Sequence, residues 1–81
     1  MKVTNVMVKK QESEKVKGYA TVVLDDELAI HNIRIIEGNG RLFVAMPSRQ
    51  GNDGKYYDYV HPIVNDLRLQ LEEAILKEFN K

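Results

Sequence analysis

Several features are scarce or absent in this 81-residue sequence, and each absence excludes a class of protein. The chain has no cysteine, which excludes a disulfide framework and a thiolate metal site and predicts a reducing, cytoplasmic compartment. Its apolar runs are too short for a membrane span, and its first residues lack the apolar region of a signal peptide. The 12 basic residues balance the 12 acidic ones, so no excess charge attracts nucleic acid or membranes over long distances.

The composition that remains is typical of one small globular domain over residues 1–81. The chain is 43% hydrophobic and 30% charged. A domain of this size buries roughly 60% of the surface of its unfolded chain, so we expect a small core. Charge is unevenly distributed, since residues 1–18 contain five lysines against two glutamates. The compensating acids lie further along the chain.

Alternation of polar and apolar residues in the first half of the chain predicts an antiparallel sheet. The predicted strands cover residues 2–10, 18–25, 28–37 and 42–46, and a short aromatic strand covers 56–60. Turn residues at Asp25-Asp26 and Gly38-Asn39-Gly40 separate the second, third and fourth strands. The third strand has aliphatic residues at both odd and even positions, which point to opposite faces, so we expect both of its faces to be at least partly covered. The polar segment 48–55 is predicted to be a flexible surface loop.

The last part of the chain predicts one amphipathic helix over residues 64–80. One helical stripe faces the core: Val64, Leu67, Leu71, Ala74, Ile75 and Phe79. Leu69 and Leu76 lie about half a turn away from that stripe, where they are either scattered surface residues or part of a homodimer contact. The open edge of the sheet offers a second route to a homodimer. The predicted fold is α+β: a twisted antiparallel sheet of four to five strands with one C-terminal helix.

No motif in the sequence supports catalysis or a cofactor. Ser13 and Ser48 lie in neither a nucleophile elbow nor the neighbourhood of a recognisable base. His31 and His61 are too far apart in sequence for a metal-binding motif. The glycines at 38–40 connect two strands, so no helix N-terminus follows them to bind a phosphate. We therefore expect a protein that is not an enzyme, with no cofactor, metal or small-molecule substrate.

Nucleic-acid binding is the one chemistry for which the sequence offers candidate residues. Residues 40–46 have a weak similarity to the RNP1 strand of RNA-recognition domains, but the pairs of stacking aromatics are missing, and we assign Phe43 to the core. A second candidate surface combines cations for phosphates with rings for unpaired bases: Arg49, Lys55, Tyr56 and Tyr57. The alternative is a solvated loop followed by tyrosines that pack on the sheet.

The ordered motifs of the chain resemble those of the stage V sporulation protein G family, SpoVG. The matching segments are Val3 to Val6, Ala20 to Asp26, His31 to Gly38, Leu42 to Ser48, Asp53-Gly54, Asp58 and His61 to Ile63. The resemblance covers about residues 3–80. It implies an antiparallel sheet with a C-terminal helix, a homodimer formed by pairing of sheet edges, and no catalytic activity.

The resemblance also implies a bacterial regulator of sporulation and septation that binds DNA and RNA. Family members make nucleic-acid contacts through the loop after Met-Pro-Ser and the first turns of the helix, which correspond here to Arg49, Lys55 and Arg68. Gln50 replaces a second basic residue common in relatives, and Gln70 lies in a helix segment that is more basic in them. Fewer cations predict fewer phosphate contacts and a weaker dependence on salt.

Two functions are consistent with these observations. The favoured one is a dimeric regulator that binds nucleic acid through Arg49, Lys55 and Arg68, with Tyr56 or Tyr57 stacking on bases. The other is a protein-interaction module in septation that acts through the sheet edge or through Leu69 and Leu76. Replacing Arg49 and Arg68 by Glu should abolish nucleic-acid binding, and it should largely spare a function that depends on protein interactions.

Overall fold

The computed structural model describes residues 1–81, which form six strands and one helix. In chain order the elements are β1 (Val3–Lys10), β2 (Val16–Leu24), β3 (Leu28–Gly38), β4 (Arg41–Ala45), β5 (Ser48–Gln50), β6 (Tyr56–Asp58) and α1 (Asn65–Phe79). The helix is too short and too polar to cross a bilayer. The α+β architecture predicted from the sequence is confirmed.

Strands β1 to β4 form one antiparallel sheet in the order of the sequence. The predicted turn between β3 and β4 is confirmed, because Gly38 pairs with Arg41 and leaves Asn39 and Gly40 as a two-residue loop. Both loop residues have positive φ, 55° and 77°, which is the geometry that matches the twist of the flanking strands. Such a sheet can bury one face under a single helix.

The core lies between one face of this sheet and α1. It consists of nine buried apolar residues: Ala20, Val22, Leu24, Ile30, Ile33, Ile35, Met46, Leu71 and Ile75. Leu67 and Phe79 pack at its margin, as the helical stripe predicts. Val64 does not, because it precedes the first helical residue with extended backbone (φ −116°, ψ 131°) and is exposed. Only two of the helix residues are fully buried, so the core is small.

A bulge in β3 determines which side chains reach the core. Ala20 pairs with Ile33 and Val22 with Ile30, so two residues, His31 and Asn32, lie opposite the single Thr21. Asn32 takes a positive φ of 62° to make this possible. The extra residue reverses the alternation, and the aliphatic side chains on both sides of the bulge point to the helix. On the other face of β3, Arg34 and Ile36 are half-buried, so both faces of this strand are at least partly covered, as the sequence predicts.

The other face of the sheet, which we call the open face, has no helix over it, because α1 packs against β1, β2 and β4 from the core side. Phe43 lies on this open face and is 48% exposed, so its assignment to the core was wrong. The physical reason is strand alternation: Leu42 and Val44 occupy the inward positions of β4, and Phe43 between them points outward.

Residues 48–58 form a hairpin, where the sequence predicted a flexible loop followed by an independent strand. Ser48, Arg49 and Gln50 of β5 pair with Asp58, Tyr57 and Tyr56 of β6. The Gly51 N–H donates to the carbonyl of Lys55 at 2.7 Å and closes the turn. The prediction failed because three-residue strands are too short to show alternation.

Replacing Ile33, which is fully buried, by Ala should lower the free energy of unfolding by about 2–5 kcal/mol, because the sheet and helix cannot collapse fully into the cavity. Urea unfolding followed by circular dichroism measures the change. Ile63→Ala is the matched control, since Ile63 is 88% exposed and its truncation should change stability by less than about 0.5 kcal/mol. Equal effects of the two substitutions would contradict the placement of the core.

Candidate nucleic-acid interface

The β5–β6 hairpin brings together four of the residues that the sequence singles out. Arg49 pairs with Tyr57 across the two strands, and Lys55 ends the turn beside Tyr56. All four side chains are exposed. Neither Arg49 nor Lys55 donates a side-chain hydrogen bond or forms an ion pair within the chain. Both cations are thus free to contact phosphates.

A hydrogen bond inside the hairpin fixes one of its two candidate tyrosines. The Tyr57 hydroxyl donates to Asp53 Oδ2 at 2.6 Å. The Tyr57 ring also packs on Gly51, where a Cβ would lie 2.7 Å from Cε2 of the ring. Tyr57 therefore holds the turn together, whereas Tyr56 on the opposite side of the hairpin makes no such bond. Of the two tyrosines, Tyr56 is the freer to stack on a base.

The same contacts change the acidity of both groups. The pKa of Asp53 lies below its usual range, because its carboxylate accepts hydrogen bonds first from the Tyr57 hydroxyl and second from the Lys55 backbone N–H. The pKa of Tyr57 is raised, because ionisation would place a second negative charge beside that carboxylate. Asp53 therefore stays negatively charged near neutral pH.

Charge on the hairpin is balanced. Its two cations, Arg49 and Lys55, are matched by two carboxylates, Asp53 and Asp58. Such a surface attracts phosphate only over the short distances at which individual cations act. The hairpin by itself offers a small number of phosphate contacts.

The remaining predicted residues lie on α1. Arg68 is exposed on the first turn of the helix and has no side-chain hydrogen bond to the hairpin. Leu76 is half-buried and lines a concavity beside Leu42 of β4, whereas Leu69 is 54% exposed. The helix packs against β1, β2 and β4 and not against the hairpin, and the two leucines lie in different environments.

Sequence reasoning missed a cavity of about 230 Å³ between the base of the hairpin and the open face. Tyr19, Asn32, Arg34, Pro47, Ser48 and Tyr59 line it. The Arg34 guanidinium donates to Ser48 Oγ at 2.9 Å, which links the sheet to the start of β5. No sequence signal marks this cavity, because its two aromatic residues are 40 positions apart in the chain. No group of three or more His, Asp or Glu side chains converges to hold a metal ion.

Comparison with known proteins places these features in a family. A family model described as SpoVG matches residues 1–81. The whole chain is 42% identical to a protein of Listeria monocytogenes serotype 4b (strain F2365), covering 80% of it, and 45% identical to one of Thermoanaerobacter sp. (strain X514), covering 89%. It is 40% identical to a protein of Staphylococcus aureus (strain Newman), covering 82%. All three carry the name "Putative septation protein SpoVG", with the number 2 in the Listeria protein.

Tyr57→Phe should raise the pKa of Asp53 towards its usual value of about 3.9, because the carboxylate loses its strongest hydrogen-bond donor. The lowered pKa in the wild type stabilises the turn above the unfolded-state pKa, and this stabilisation is lost as pH falls through the folded-state pKa. An NMR titration of the Asp53 side-chain carboxyl carbon measures the shift. Tyr56→Phe is the control, and an unchanged Asp53 titration in Tyr57→Phe would contradict the bond.

Proposed function

Because this chain belongs to the SpoVG family, we propose that it is a non-enzymatic, cytoplasmic bacterial regulator of sporulation, septation and gene expression that binds nucleic acid as a homodimer. The septation role follows the names of its relatives, which describe septation proteins and no enzyme activity. Nucleic-acid binding and dimerisation go beyond those names. The residues of the hairpin support nucleic-acid binding, and the edges of the sheet support dimerisation.

One observation carries the nucleic-acid proposal: the hairpin exposes two unpaired cations and, on the opposite side from Arg49, the aromatic ring of Tyr56. Arg49 and Lys55 supply contacts to phosphates, and Tyr56 supplies a surface on which an unpaired base stacks. The Tyr57–Asp53 bond keeps the turn in one conformation, which lowers the entropy lost on binding. DNA and RNA share the phosphate backbone, so this site accepts either.

Dimerisation would compensate for the small number of cations in one chain. A second hairpin bound to the same nucleic acid acts at a high effective concentration, so two weak sites reach an affinity that neither has alone. Dimerisation leaves the zero net charge of each chain unchanged, so the gain in affinity comes from placing two sites on one nucleic acid. Arg68 of the second copy then adds a phosphate contact to those of the two hairpins.

The two edges of the sheet differ in how well they are protected, and we infer that β4 pairs with a second copy. At the β1 edge, the Val3 N–H donates to Gln70 Oε1 at 2.6 Å, and the Lys10 ammonium lies 5.2 Å from the centre of the Phe79 ring. Thus α1 guards β1. No side chain or loop hydrogen-bonds to the outer backbone groups of β4, and an unprotected edge is a template for another strand.

A second candidate function is a protein-interaction module in septation. The observation in its favour is Leu69, which is 54% exposed on α1, two turns before the half-buried Leu76 that lines the concavity at β4. An exposed leucine on the helix that borders this concavity suits a protein partner as well as a second copy. This function does not require Arg49 or Lys55, so their substitution separates the two candidates.

Exchanging both hairpin cations, as Arg49→Glu with Lys55→Glu, should abolish binding to labelled duplex DNA, single-stranded DNA and RNA in fluorescence anisotropy. Titrations at several salt concentrations should give the wild type a negative salt slope, of which each phosphate contact to duplex contributes about 0.9. Arg68→Glu tests the helix separately, and its effect should be smaller.

The control for these substitutions is Lys77→Glu, a single exchange of the same kind with half the charge change of the double variant, on an exposed residue in the last turn of α1. It should leave binding close to that of the wild type. Absence of wild-type binding at low salt, or equal losses in Lys77→Glu and the hairpin variant, would contradict the proposal and favour the protein-interaction function.

Dimerisation through β4 predicts a disulfide cross-link in Phe43→Cys. Antiparallel pairing of two β4 strands about their central residue places the substituted positions opposite each other, within the Cα distance that a disulfide spans. The natural chain has no cysteine, so the introduced thiols can pair only with each other. Oxidation followed by non-reducing electrophoresis detects the covalent dimer.

Met7→Cys, exposed in the middle of β1, is the matched control and should stay uncross-linked. Light scattering of the wild type should give twice the 9.3 kDa mass of one chain. A mass of one chain would contradict the dimer. Cross-linking of Met7→Cys instead of Phe43→Cys would move the interface to β1.

A further inference from the structure

The open face of the sheet carries exposed aromatic rings on separate strands. Tyr19 lies on the inner strand β2 and is 38% exposed, and Phe43 lies on β4. The pairing of Tyr19 with Arg34, and of Ile36 with Phe43, places the rings on a diagonal across three strands. Strand spacing puts them roughly 12 Å apart. A chain that crosses β2, β3 and β4 therefore passes both rings.

Charge on this face is of one sign. Lys9 pairs with Tyr19, Tyr19 with Arg34, and Arg41 lies two residues before Phe43, so three cations point to the same side. No position of β1 to β4 on this side is Asp or Glu. The acids of α1 lie on the opposite side of the sheet. The zero net charge of the chain thus conceals a cationic open face.

The cavity at the base of the hairpin is lined by aromatic rings and by hydrogen-bonding groups. Tyr19 and Tyr59, the latter 70% exposed, contribute rings, and Asn32, Arg34 and Ser48 contribute donors and acceptors. Its volume of about 230 Å³ far exceeds that of one water molecule. The bulge places Asn32 here, because its positive φ turns this residue away from the regular alternation.

We propose that this open face binds the bases of a single-stranded nucleic acid, with Tyr19 and Tyr59 flanking one base at Arg34 and Phe43 stacking on another. The proposal rests on the proposed function and deepens it, because it names unpaired bases as the ligand of a second surface. Cations with aromatic rings on one face are the combination that single-stranded nucleic acid recognises, and duplex bases are inaccessible to it. The hairpin, whose base lines the same cavity through Ser48, supplies the phosphate contacts.

The test compares ring-removing and ring-keeping variants at two positions. Tyr19→Leu and Phe43→Leu should each weaken the binding of fluorescein-labelled oligo-dT of about 12 nucleotides by about tenfold, as loss of one stacked base predicts. Tyr19→Phe and Phe43→Tyr keep the ring and should bind like the wild type. Affinity for a duplex of the same length should not change in any of the four.

Two measurements show that the leucine variants remain folded and that the face itself is contacted. Thermal unfolding by circular dichroism should give midpoints close to that of the wild type. NMR titration of the wild type with oligo-dT should shift the ring protons of Tyr19, Tyr59 and Phe43. Ile63→Ala, exposed before α1, is the binding control and should leave affinity unchanged.

The outcomes separate this proposal from the one on which it rests. If the leucine variants bind oligo-dT as tightly as the wild type while Arg49→Glu with Lys55→Glu abolishes binding, the open face is not a base site and the hairpin function stands. If the ring-keeping variants lose as much as the leucine variants, stacking is overturned. If the wild type binds neither oligo-dT nor duplex at low salt, both proposals fail.

Discussion

The bulge at His31 and Asn32 is the constraint on which the rest of the structure depends. Without the extra residue, strict alternation would place Ile30 on one face of β3 and Ile33 and Ile35 on the other. The three aliphatic side chains would then be divided between the two faces of β3, and the core would lose at least one of them. The left-handed backbone of Asn32 brings the three aliphatic side chains to the helix. The same step leaves Arg34 and the exposed His31 and Asn32 on the side of β3 away from the helix.

This division into a covered and an open face also organises the charge. The acids of α1 stay on the covered side, and the strand cations that point outward meet no carboxylate on their own side. A net charge of zero is a sum over the molecule, whereas a phosphate within a Debye length responds to the nearest surface. Balanced composition therefore excludes long-range attraction and leaves a local cationic surface in place.

The candidate site could be predicted in part. Arg49, Lys55 and Tyr56 follow from composition and position, and the structure places them together because β5 and β6 pair. The role of Tyr57 in holding the turn could not be predicted, since it depends on a hydroxyl reaching Asp53 across the hairpin. Nor could the cavity at Arg34, whose walls come from β2, β3 and the segments around the hairpin. Distant residues meet only when register and turn geometry are known.

The sequence by itself determined the order of β1 to β4 and α1, the turn at Asn39-Gly40 and most of the core stripe of α1, because these follow from local periodicity and backbone preference. Only the tertiary structure decided which face of the sheet is open, that Phe43 lies on it, and that β1 rather than β4 is guarded by the helix. Those outcomes depend on one inserted residue in β3 and on where α1 packs. Each is a relation between segments far apart in the chain, which no local pattern records.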